Sequence, residues 1–263
     1  VIGCAFKGEM TALKTHLFDS PNTTLASLND GLKGYLGKRG NNEIALVLTG
    51  IGMRRAREAM RIALKRWPAP EFILSTGVAG ALSPDLAIGA IVLADSVMTC
   101  HFETGLPEHI LGVAREQREA MDAALANTGK SARAGAIFTS TKPLTTVAAK
   151  SRAAELSGAV AVDMESAAIA LEAATRGIPY VCLRTILDTA NEDVMGAELA
   201  DENGRVRLFA AARAMVRNPA ILTSGLRLLR NLRVATKAMG EAVAAAIGEP
   251  VLSKRSGIRS IGA

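Results

Sequence analysis

Short apolar runs alternate along this chain with longer stretches in which apolar positions recur every three or four residues. The short runs, at 1–6, 43–49, 71–76, 87–95, 134–139 and 180–187, are rich in Val, Ile and Leu and have the length of buried strands. Between them lie stretches with helical spacing: Leu13 and Leu17 behind Lys7-Gly8-Glu9, the segment 53–66, the segment 113–127, and Ala167, Ala168, Leu171 and Ala174. Pro68 and Pro70 end the helix over 53–66, Gly177 sits where a helix C-terminus favours a left-handed residue, and Pro179 bars continuation. Residues 19–29 are polar and turn-rich, and 99–109 reads as an irregular, mobile loop. Strands alternating with helices predict an α/β fold: a single domain on a central mixed, mostly parallel twisted sheet flanked by helices. We place that domain at 1–200, a basic helical C-terminal extension of it at 205–247, and a flexible tail at 250–263.

Composition narrows the class. A chain of 263 residues with 49% hydrophobic and 3% aromatic content suits one large, Ala-rich core. No apolar run has the length of a membrane span, and no secretory leader is expected within these residues. Cys4, Cys100 and Cys182 form no motif and sit in apolar surroundings, which suits reduced thiols of a cytoplasmic protein. His16, His101 and His109 lack metal-ligand spacing, so no metal and no bound cofactor are expected. The net charge of +6 is unevenly placed. Residues 205–263 carry eleven Lys/Arg against Glu241 and Glu249, a balance of +9, which leaves 1–204 near −3. The basicity therefore belongs to the C-terminal segment.

The most informative stretch is 159–193, AVAVDMESAAIALEAATRGIPYVCLRTILDTANED. It reads as strand, helix, strand, with Asp163 and Glu165 where the first strand ends and Asp188 where the second does. Ligands of open α/β sheets bind beyond the carboxyl ends of the strands, so Glu165 and Asp188 are expected to face one pocket. Each acid also has a structural reading: Asp163 or Ser166 as a helix cap, Glu165 as a first-turn acid, Asp188 as the cap of a following turn. Two Gly-rich segments follow strands, T-G-I-G at 49–52 and T-G-V-A-G-A at 76–81. Such turns let a ligand approach the backbone closely, although tight turns need glycine in any case. Neither fits the dinucleotide fingerprint.

Taken in order, T-G-I-G, T-G-V-A-G-A, V-D-M-E-S-A-A-x-A, G-I-P-Y and R-T-I-L-D resemble the signature of the nucleoside phosphorylase superfamily over roughly 1–191. The likeness is to its 5′-methylthioadenosine/S-adenosylhomocysteine nucleosidase branch. It implies an enzyme that cleaves the N-glycosidic bond of a purine nucleoside and releases adenine. In that reading Glu9, in A-F-K-G-E-M-T-A-L, activates water, and Asp188 meets N7 of the leaving base. Asp163, Met164 and Glu165 hold the ribose, Gly52 and Val78 belong to the substrate site, and Ala79 and Gly80 lie under the sugar. Asp188 needs a raised pKa for its role, which burial behind Leu187 would supply. The sequence also departs from its relatives. Ser75 and Val78 stand where the hexameric phosphorylases use Arg and Ser to hold phosphate, which favours water, with phosphate as the alternative co-substrate. Arg39, Arg54 or Arg55 could supply a different phosphate site. Pro143 and Leu144 replace the Phe on which the nucleosidases stack the base, leaving Phe102 and Phe138 as further candidates.

Beyond Asn191 the likeness to the small nucleosidases fades. Asn218-Pro219 suits a helix start, and Leu228, Leu232, Ala235, Met239, Ala242 and Ala246 then form one apolar stripe beside a basic one of Arg227, Arg230, Arg233 and Lys237. Two outcomes are open for 219–247: a stripe packed on the core with a solvated basic face, or a helix lying on an anionic membrane surface. In composition this segment resembles the tail of the hopanoid-biosynthesis phosphorylases, which implies adenosylhopane, an adenine nucleoside with a lipid at C5′. A nucleoside-salvage phosphorylase and a non-catalytic nucleoside-binding homologue are the alternatives. The resemblance implies a homo-oligomer acting on a small-molecule nucleoside. The basic segment lacks the aromatic stacking residues expected of a nucleic-acid binder.

Overall fold

The computed structural model describes residues 1–18, 26–27, 31–39, 42–100, 107–194 and 220–247. Its organising strand is β5 (Ile73–Ala81), whose two edges carry different partners. Along one edge β10 (Tyr180–Asp188) runs parallel to it, from Tyr180 opposite Ile73 to Asp188 opposite Gly80. Along the other edge β1 (Ile2–Cys4) pairs in parallel with its first half, and β9 (Ala161–Asp163) pairs antiparallel with its end. Beyond β1 lie β4 (Asn42–Leu48), β3 (Lys33–Arg39) and β2 (Ala26–Ser27). Beyond β10 and β9 lie β6 (Ile91–Cys100) and β8 (Ala132–Thr139), which pair with each other, and β7 (Pro107–Gly112) borders β6. The strands β5, β10, β6, β8 and β9 thus close into a ring within one mixed ten-stranded sheet. Parallel pairings make its middle, as the alternating pattern predicts.

Helices cover the sheet. Ala56, Met60 and Leu64 of α2 (Met53–Arg66) share one core with Ala167, Ala168, Ala170 and Ala173 of α5 (Ser166–Ala174). The small side chains of α5 bring its backbone close to the strands. Across the sheet, Met10, Leu13 and Leu17 of α1 (Lys7–Phe18) and Met121 and Leu125 of α3 (Arg115–Asn127) pack on Val181 and Leu183. Met239, Ala242, Val243 and Ala246 of α6 (Ala220–Ala246) complete that second core. The apolar stripe of α6 therefore packs on the domain, while Arg227, Arg230, Arg233 and Lys237 are exposed. Its expected start at Asn218-Pro219, like the tail 250–263, lies outside the described residues. Among the described residues no helix is long and apolar enough to cross a membrane.

Three readings change. T-G-V-A-G-A is not a turn after a strand ending at Thr76, because β5 continues to Ala81 with β10 paired along it. The strand expected at 87–95 begins at Ile91: Gly89 adopts φ +80 and the amide of Ala90 donates to the carbonyl of Ala87, so 87–90 is a turn. The segment read as an irregular loop contains β7 from Pro107 onward. A further element, α4 (Val147–Ser157), gave no strong periodicity. Its local signals are a Thr146 cap, which accepts from the amide of Ala149, and a left-handed Gly158.

Candidate active site

Three carboxylates meet beyond the carboxyl ends of β1, β9 and β10. Glu9 lies in the first turn of α1 and is buried. One carboxylate oxygen accepts from the amides of Ala5 (2.7 Å) and Phe6 (3.4 Å), and the other accepts from the amide of Val78 (2.8 Å). Burial raises its pKa to about 7, against the pull of the Val78 amide and the Arg184 guanidinium. Glu165 follows β9 and accepts from the amide of Gly52 at 2.7 Å. Gly52 adopts φ +94, a left-handed conformation that aims its N–H at the acid. Burial and the neighbouring Asp163 charge raise the pKa of Glu165 to about 8. Asp188 closes β10, and burial raises its pKa from the ordinary aspartate value despite the opposing charge of Lys150.

These groups border a cleft of about 240 Å³. Of the residues singled out in the sequence, Glu9, Val78, Ala79, Gly80, Pro143, Leu144, Asp163, Met164, Glu165 and Asp188 all line it. Gly52 is not on the wall but stands behind Glu165. Asp163 borders the cleft with its carboxylate already engaged. It accepts from Thr139 Oγ1 (2.8 Å), from the amide and hydroxyl of Ser166, and from Arg184 Nε (2.9 Å). That is the structural reading of Asp163, with its charge anchoring the ends of β8 and β9 to the middle of β10. Phe138 is buried among Leu82, Met98 and Val162 and does not reach the cleft. Phe102 lies outside the described residues.

One correction concerns anion binding. Arg39 donates to the carbonyls of His16, Leu17 and Ala244, tying α1 to α6, so it offers no phosphate site. The Ser75 hydroxyl is buried and accepts from Arg184 at 2.8 Å, away from the cleft. Arg54 and Arg55 border a polar depression with Lys7 and Lys33 that adjoins the cleft at Ala5 and Phe6.

Sequence reasoning missed Lys150, Arg184, Phe6 and Leu228. Arg184 did leave a signal, a charged residue inside the apolar run 180–187, which demands a buried partner. Lys150 left none, because the helix that carries it was not read. Phe6 and Leu228, the latter from α6, line the cleft through tertiary packing alone. No cluster of three or more His, Cys, Asp or Glu is placed to hold a metal among the described residues.

The sequence profile of the phosphorylase superfamily matches residues 1–217. The chain belongs to that superfamily. Within it, a 5′-methylthioadenosine/S-adenosylhomocysteine nucleosidase of Shewanella piezotolerans is 28% identical over 198 residues, covering 71% of this chain and 86% of the relative. Two solved members share the fold. The nucleosidase of that type from Helicobacter pylori, with butyl-thio-DADMe-Immucillin-A, superposes with a TM-score of 0.74 at 17% identity over 94% of this chain and 96% of its own. Futalosine hydrolase of Helicobacter pylori gives 0.73 at 16% identity, covering 94% and 95%.

The raised acids make the stability of this superfamily member depend on pH in a defined direction. Glu9 and Glu165, with folded values of about 7 and 8 against 4.5 when unfolded, hold protons that the unfolded chain has released. Stability is therefore greatest below pH 4.5 on their account, and it declines as pH rises through 7 and 8. The ligand-free protein should melt at a lower temperature at pH 8.5 than at pH 5.5. Glu165→Gln should flatten that dependence in a calorimetric or fluorescence melt.

Proposed function

We propose that this protein is a nucleosidase that breaks the N-glycosidic bond of a purine nucleoside, with adenine as the base. The observation that carries the reading is the convergence of Glu9, Glu165 and Asp188 on one cleft from three separate strand ends. Breaking C1′–N9 builds positive charge on the ribose and negative charge on the base. Asp188 gives a proton to N7 as the base departs. Glu165 accepts hydrogen bonds from the ribose hydroxyls, which favour its ionised form and stabilise the cationic ring. Glu9 takes a proton from the water whose oxygen bonds to C1′.

Water is favoured over phosphate by the state of the Val78 amide. It already donates to Glu9, so a phosphate there would meet a carboxylate in place of a free main-chain donor. Because Glu9 must be ionised to act, kcat/KM should fall below about pH 7. Glu9→Gln should remove both that limb and about 10²–10⁴-fold of the rate, read in a pH series of base release. Gly77 makes this arrangement possible: a Cβ there would stand 2.8 Å from Glu9 Oε1. Gly77→Ala should push the carboxylate off Val78 and lower kcat by about 10²-fold with little change in melting temperature. Wild-type kcat in that variant would show that the contact does not matter.

The finer reading concerns the 5′ position. Phe6, Ile51, Leu144, Val194 and Leu228 give the cleft an apolar side that suits a large apolar 5′ substituent, as in adenosylhopane. On the first half of α6, Leu226 (60% exposed) and Leu229 (54%) stand beside Arg227, Arg230 and Arg233, a surface suited to peripheral contact with an anionic membrane. The working form is proposed to be a homo-oligomer. The test is adenine release from 5′-methylthioadenosine, S-adenosylhomocysteine and a 5′-long-alkyl adenosine, each with and without phosphate. Phosphate-independent release supports the nucleosidase, and preference for the alkyl compound supports the lipid reading. Strict phosphate dependence would make it a phosphorylase, and no release at all would favour a nucleoside-binding protein.

A further inference from the structure

Asp188 does not stand alone at the end of β10. Helix α4 brings Lys150 against it, a fully buried side chain whose Nζ lies 2.5 Å from Asp188 Oδ2. The same ammonium donates to the carbonyls of Thr189 (2.7 Å) and Glu192 (3.0 Å). An ammonium has three donors, and all three are engaged. The rest of the turn is tied to α4 as well: the amide of Val147 donates to Asp193, and the amide of Val194 donates to the carbonyl of Thr145. Among the described residues nothing donates to Asp188 Oδ1. A buried lysine carries a large desolvation cost, and an apolar side chain of its length would avoid that cost if filling space were the only task.

We propose that Lys150 is a positioning residue for the reaction: it binds Oδ2 of Asp188, fixes the rotation of the carboxyl group, and leaves Oδ1 to face the purine. This rests on reading Asp188 as the group that meets the leaving base. The charges around the pair are few. Glu192 stands in the turn after β10, where its carboxylate accepts from the amide of Thr189 and lies 3.7 Å from Arg227 of α6. Asp193 faces the start of α4, and Lys142, Glu9 and Glu165 line other parts of the cleft. Burial and Glu192 increase the proton affinity of Asp188, and Lys150 opposes both. Lys150 thereby limits how tightly the acid holds the proton that it gives to N7.

Lys150→Met keeps the length and removes the charge. In protein carrying ¹³C-carboxyl aspartate, with Asp188→Asn to assign the signal, the Asp188 midpoint should rise by about one pH unit or more. The kcat should fall by about 10–100-fold with KM little changed, and the high-pH limb of kcat should move up with the midpoint. A folded variant in which midpoint and limb stay put overturns the proposal, even if kcat falls. Should Lys150→Met not fold, Lys150→Gln serves. In the parent protein labelled with ¹⁵N-lysine, Asp188→Asn should also shift the Lys150 ammonium signal, and an unmoved signal overturns the pairing. If no nucleoside is turned over, the functional reading fails while the midpoint still decides whether Lys150 governs Asp188.

Discussion

Asp188→Asn is expected to slow base release by about 10²–10⁴-fold at neutral pH while the affinity for nucleoside changes little. The amide is nearly isosteric with the carboxyl group and can hydrogen-bond to N7, so ground-state contacts persist. It has no proton to give as negative charge builds on the base, so the loss falls on kcat. The substitution also strips the buried Lys150 of its counter-charge while leaving the Thr189 and Glu192 carbonyls as acceptors. A modest fall in melting temperature should therefore accompany the kinetic loss. Stopped-assay rates at saturating substrate, with calorimetric binding of the intact nucleoside, separate the two. Full activity in the variant would end the assignment of Asp188.

Arg184→Met is expected to be the most damaging single change to stability, at about 3–5 kcal/mol. The guanidinium is buried between β5, β9 and α5, where it donates to Asp163, to Ser75 Oγ at 2.8 Å and to Ser166 Oγ at 2.7 Å. Methionine matches the length and leaves Asp163 as a buried charge without its cation, together with two hydroxyls that lose a donor. The same cation lowers the proton affinity of Glu9 and Glu165, so the surviving folded protein should bind protons more tightly at both. Urea unfolding checks the first effect. A loss below 1 kcal/mol would mean that the network contributes little to holding the strand ends together.

Most of the site was legible because its acids lie at strand ends, where the sequence pattern and sheet geometry agree. Glu165 and Asp188 could be placed near one another from the order of elements alone, whereas Glu9 entered through the family resemblance. What escaped reading depends on tertiary packing. Leu228 reaches the cleft, and Lys150 reaches Asp188, from helices whose amphipathic pattern says nothing of either contact, and Phe6 follows a strand only three residues long. Gly77 and Gly80 were read as turn formers. Their actual role is to leave space inside a strand: a Cβ on Gly80 would come within 3.1 Å of Asp188 Oδ2, as one on Gly77 would meet Glu9. Asp163 was expected on the substrate and is engaged by Arg184, because a buried cation in a strand must find its anion nearby.

Strand β5 has a partner along both edges, with β10 on one and β1 followed by β9 on the other. Amides in such a position exchange with solvent only through opening of the whole molecule. The floor of the cleft is therefore among the most durable parts of the protein. Val78 is the exception that reports on chemistry. Its N–H points to a glutamate, so the rate at which that one hydrogen is lost to deuterium records how often Glu9 lets go.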